Sequence, residues 1–165
     1  MRQILSVRDI NAQAPETTFT IEVEYDVDPS NEETQTLTGV GFRLHFDSSQ
    51  LEFLRVNEFF EENGTFNNVP DGATAEGDND FDNDPTTDQF IAAGWTDISG
   101  NFPGVGETPV TLYELEFRTT VAFADSTTLN FTKVSTPPGF ELDTPIVTID
   151  ATDSGNDPPS VANET

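Results

Sequence analysis

At 165 residues, the chain has room for one domain, or one domain with a loose tail, and its 34% apolar content includes fourteen Phe. With no Cys there is no disulfide and no thiolate for metal binding or nucleophilic attack. Six basic residues against 31 acidic ones, a formal net charge of −25, exclude nucleic acid as a partner and disfavour an anionic membrane surface.

The elements read in chain order as short alternating runs separated by Gly, Pro, Asn and Asp. Gln3–Val7 is the first predicted strand. Thr17–Tyr25 follows, with Phe19, Ile21, Val23 and Tyr25 on one face and Thr20, Glu22 and Glu24 on the other, the pattern of a half-buried strand. Asp28–Thr36 is a polar loop. Thr38–Phe46 alternates again, with Val40, Phe42, Leu44 and Phe46 inward and Gly41, Arg43 and His45 outward. After the turn at 47–50, Leu51–Val56 is a further strand.

Residues 57–88 read as one long acidic loop with a short strand near Gly64–Val69; between Asp71 and Asp88 seven of eighteen residues are acidic and none basic. Strands resume at Gln89–Trp95, then at Val110–Val121, where Tyr113, Leu115, Phe117 and Thr119 share a face. Leu112, Glu114, Glu116 and Arg118 take the opposite one. Ser126–Val134 and Pro145–Ile149 complete the series. About nine strands predict an all-β antiparallel sandwich over 1–150, and the Asp-, Gly- and Pro-bearing 151–165 reads as a linker or frayed tail.

Three stretches carry a family resemblance: 38–53, TGVGFRLHFDSSQLEF; then FIAAGW at 90–95 with LYELEF at 112–117; and TLNF at 128–131. Their order resembles the cohesins, jelly-roll modules that hold dockerins in cellulosomes and related assemblies. The resemblance implies a non-catalytic protein-binding module, docking a dockerin-like partner through one sheet face. The expected partner-binding residues are Arg43, His45, Glu114, Glu116 and Arg118, with Leu112 as the exposed apolar contact. It further implies an extracellular or cell-surface setting, the chain being a monomeric module cut from a longer precursor. No signal-peptide core precedes the first strand, and no run of about 18 apolar residues could span a membrane.

Two alternatives stay open. A carbohydrate-binding module of similar topology could present Trp95, Tyr113, Phe59 and Phe60 to a polysaccharide. A structural spacer could be stiffened by Ca2+ in the acidic loop, where Asp78, Asp80, Asp82 and Asp84 are spaced by two and Asp88 lies beyond. That spacing has the carboxylate density Ca2+ needs, but Asn83 occupies the place of the EF-hand turn glycine and Gln89 that of its bidentate Glu. Catalysis has little support: one His, one Lys and no Cys leave few nucleophile–base sets.

Overall fold

The computed structural model describes residues 2–28, 37–61, 64–104 and 107–152. The predicted polar loop after Asp28 and the tail from 153 onward lie outside them. The described residues form eleven strands and no helix. They are β1 (Arg2–Val7), β2 (Thr18–Val27), β3 (Gly39–Phe46), β4 (Leu51–Phe59), β5 (Phe66–Asn68), β6 (Thr74–Ala75), β7 (Gln89–Thr96), β8 (Val110–Thr119), β9 (Ser126–Ser135), β10 (Glu141–Asp143) and β11 (Val147–Asp150).

One sheet has the order β10-β1-β2-β8-β4. The other runs β11-β9-β3-β7-β5, with β6 added to β7. All pairings are antiparallel except β1 with β10. The all-β sandwich expected from the alternation is therefore present. Between the sheets, Phe19, Ile21, Val23 and Tyr25 from β2 and Leu115 and Phe117 from β8 meet Val40, Phe42, Leu44 and Phe46 from β3, all buried. Each of these strands turns every second side chain inward, so two stacked sheets share one apolar layer. Aromatic rings interlock within it. Phe42 lies 5.9 Å from Trp95 and 5.7 Å from Tyr113, and Phe46 meets Phe117 edge-on at 5.3 Å.

Alternation fails where strands bulge. In the β2–β8 ladder, Val23 pairs with Tyr113 but Glu24 pairs with Thr111, so Leu112 is an extra residue on β8. The bulge turns it inward beside Tyr113, and both are fully buried. Leu112 is thus not the exposed apolar contact expected from strict alternation. Register shifts at Phe53/Arg55 and Val56/Glu58 likewise carry β4 on to Phe59, three residues past its predicted end. The short β6 and β10 bear no readable alternation; pairing with β7 and β1 defines them.

Candidate functional site: two sheet faces and a folded acidic loop

With Leu112 in the core, the other five residues expected to form one docking row lie on opposite sides of the sandwich. Glu114, Glu116 and Arg118 are on β8, whose neighbours are β2 and β4, while Arg43 and His45 are on β3, between β7 and β9. Two residues on different sheets cannot face the same partner, which corrects the expected set.

The outer face of the β8 sheet is charged. Glu114 stands opposite Glu22 on one side and Glu58 on the other. Arg55 meets Glu116 at 2.8 Å, Arg118 approaches Glu16 at 3.7 Å, and Arg8 bridges Glu22 and Glu24. Hydrogen bonding to Glu24, aided by the charges of Glu22 and Glu24, raises the Arg8 pKa above its ordinary value. These are solvated cross-strand pairs.

The outer face of the β3 sheet has two halves. In one, the centre carries no side chains: Gly41 pairs with Gly94, flanked by Ser135 and Asn68, and the next rows join Gly39 to Thr96 to Phe66, and Arg43 to Ala92. Gly39 cannot be replaced there. Its φ is +128°, and a Cβ would come within 1.9 Å of the Trp95 carbonyl oxygen. Gly94 is different, since a Cβ at that position meets nothing nearer than 3.8 Å. Phe66 stands exposed at the edge of this floor, and Val134 on β9 is half exposed.

The other half is covered by residues 76–88. The Glu76 N–H donates to the Asp88 carbonyl (2.9 Å), and the Asp88 N–H donates to that of Phe46 (3.1 Å), which ties both ends of the loop to the sheet. Carboxylates accepting local donors shape the interior, as short acidic side chains do in turns. Asp80 and Asp82 accept from the Asp84 N–H, Asp84 accepts from the Thr86 N–H and hydroxyl, and Asp82 accepts from Thr87 Oγ1 at 2.6 Å. Asn130 of β9 donates to both Asp82 (2.9 Å) and Asp84 (3.0 Å). Phe81 packs over the Arg43 guanidinium, 4.4 Å from its centroid, and edge-on against Phe90.

Under this loop His45, expected to point to solvent, is fully buried. Its Nδ1 makes a short contact with Glu76 Oε1, and its Nε2 lies 2.7 Å from Thr132 Oγ1. The five aspartates of the expected Ca2+ set do not converge. Asp88 accepts instead from the Ser48 N–H and hydroxyl, at 2.7 and 2.6 Å. Among the described residues, the one cluster of three or more His, Asp or Glu whose ligand atoms all lie within 4.8 Å of one another is His45, Glu76 and Asp82. Burial raises the Glu76 carboxyl above its usual range, opposed by the hydrogen bond with His45. Burial also pushes Asp82 upward, but hydrogen bonds from Thr87 and Asn130 outweigh it, and its net shift is downward. Hydrogen bonds from Thr86 lower Asp84.

Glu76, Asn130, Thr132 and Phe81 were not among the residues singled out from the sequence. For Asn130 and Thr132 a signal exists, as they alternate with Leu129 and Phe131 on the outer side of β9. For Glu76 there is none, because 31 residues separate it from His45. Trp95 and Tyr113 present no aromatic face for a sugar. Trp95 is buried, donates Nε1–H to the Phe60 carbonyl at 2.9 Å, and is stacked by Phe59 at 4.6 Å, while Tyr113 is fully buried.

No protein-family model and no curated protein matches the sequence. Solved structures do match its fold, cohesins among them. The solution structure of the cohesin CaCohA2 from Clostridium acetobutylicum superposes with a TM-score of 0.60 at 14% identity, over 93% of this chain and 92% of that one. The cohesin of the Coh-OlpA–Doc918 complex from Clostridium thermocellum gives 0.59 at 11% identity, over 92% and 100%. The seventh ScaB type I cohesin from Pseudobacteroides cellulosolvens gives 0.56 at 15%, over 93% and 96%. The chain has the jelly-roll sandwich of the cohesin modules.

Proposed function

We propose that this chain is a non-catalytic docking module of an extracellular or cell-surface protein. It takes a dockerin-like partner on the uncovered half of the β5-β7-β3-β9 face. The carrying observation is the contrast in exposed apolar residues. Among the described residues, Phe66 and Val69 at β5, Phe81 between β6 and β7, and Val134 on β9 belong to this sheet, Ile98, Val121 and Ile146 lie on connections between the two sheets, and no exposed large apolar residue lies on a strand of the other sheet. A flat floor with an apolar rim suits burial against a partner, where apolar contact supplies affinity and polar groups set orientation. The likeness to cohesins solved with dockerins supports the same reading. With Trp95 and Tyr113 buried, no observation favours the polysaccharide alternative.

The test is binding to immobilised dockerins in Ca2+ buffer, with EDTA as a second arm. Wild type is expected to be retained by at least one dockerin. Gly94→Arg, which has room on the backbone, should weaken retention by about a hundredfold, on the order of 3 kcal/mol. Glu114→Arg, on the opposite face, should leave it unchanged. No retention by any dockerin, or loss through Glu114→Arg with Gly94→Arg silent, overturns the proposal.

A further inference from the structure

We propose that His45 Nδ1 and the carboxylates of Glu76 and Asp82 bind one divalent transition-metal ion of the Zn2+ class, which pins the acidic loop to the central strand of the sheet. The inference stands on this cluster alone and is independent of what the uncovered half of the face binds.

The three ligands come from two segments far apart in the chain, His45 from β3 and Glu76 and Asp82 from the loop that covers it. They are brought together at a site where His45 and Glu76 are both buried. The outer contacts are those that orient metal ligands. Thr132 Oγ1 holds His45 Nε2, leaving Nδ1 aimed at the carboxylates. Asp82 Oδ2 accepts from Thr87 and Asn130, and Oδ1 takes a 3.3 Å contact from the Asp84 N–H. His45 and Asp82 are thus each held from behind by hydrogen bonds, and one ligand atom of each residue lies within 4.8 Å of the others.

The close approach of His45 Nδ1 to Glu76 Oε1 is that of an N–H donor to a carboxylate, with one proton shared between the two ligand atoms. A metal ion bound by both atoms would take the place of that proton and release it. Asp80 and Asp84 add negative charge around the cluster. Arg43 is the cation beside it, and its guanidinium is stacked on Phe81 and Phe90. The donor set selects the ion. Ca2+ takes six to eight oxygens, whereas an imidazole nitrogen with two carboxylates suits Zn2+ and its softer neighbours, leaving a fourth position for water. This replaces the five-aspartate Ca2+ set with one whose atoms converge.

His45 is the only histidine in the chain, so its imidazole nitrogen resonances report on the site without ambiguity. Protein stripped with EDTA and desalted is titrated with Zn2+, and separately with Ca2+. The expected result is one equivalent of Zn2+ bound, with a saturating shift of Nδ1 and no such response to Ca2+. Glu76→Gln and Asp82→Asn, each verified as folded by circular dichroism, should weaken uptake by about tenfold or more, and Asp78→Asn should leave it unchanged. No response of His45 to Zn2+ in the wild-type protein overturns the proposal. So does an equal response to Ca2+, or undiminished uptake in the Glu76 and Asp82 variants.

Discussion

The outer residues of β2 and β8 remain in water, while those of β3, placed by the same two-residue period, are stripped to glycine at one end and roofed over at the other. On the first face Glu22, Glu114 and Glu58 form a row of like charges across three strands. On the second, Gly41 and Gly94 leave a bare floor, and His45 lies beneath the 76–88 loop. Period alone decides which residues leave the core. What they then meet depends on which loop returns over the sheet.

That difference can be broken or sharpened by experiment, and it is widest in partner binding, where Gly94→Arg and Glu114→Arg are expected to part by about two orders of magnitude. Next in size is the shared interior. Trp95 lies beneath the glycine floor and touches Phe42, Phe59, Phe102 and Tyr113. Trp95→Ala is expected to cost about 3–5 kcal/mol, read from the denaturant midpoint, and Phe117→Ala on the opposing sheet a similar amount. A loss below about 1 kcal/mol at either position would mean that the two faces do not rest on one core.

Alkaline titration probes the same interior. Tyr25 and Tyr113 are the only tyrosines. Burial holds both phenols above their ordinary pKa, with the Tyr25 shift opposed by its hydrogen bond from Gln3. A raised folded-state pKa stabilises the fold fully below the unfolded value of about 10 and progressively less above it. Phenolate absorbance should therefore appear together with unfolding, not before it. Tyrosinate forming in a protein that keeps its strand spectrum would contradict the burial of both rings.

The smallest effect belongs to the charged face. Replacing the middle of the three-glutamate row, Glu114→Lys turns two repulsive cross-strand neighbours into attractive ones and should stabilise by about 0.5–1 kcal/mol at low salt. The gain should shrink in high salt as screening sets in. A thermal midpoint unmoved by this substitution at low salt would show that the row is fully relaxed by solvent.

The strands with strong alternation were legible. Thr17–Tyr25 and Thr38–Phe46 correspond closely to β2 and β3, with their inward sets intact. Leu112 was misread because a bulge shifts the period by one residue, and nothing in a single strand's sequence marks where its partner will slip. The docking row was misread for a related reason: outward residues on β3 and on β8 look alike until strand order places them on different sheets.

Composition and alternation by themselves determined that the chain folds as an all-β sandwich with a Phe-rich interior, because a period of two and a sufficient apolar supply act locally along each strand. Only the tertiary structure decided which outward residues share a face, that His45 is covered, and that Glu76 and Asp82 join it. Those outcomes depend on pairings between segments tens of residues apart, where the loop at 76–88 is held by hydrogen bonds to Phe46 and Asn130 rather than by any pattern within itself.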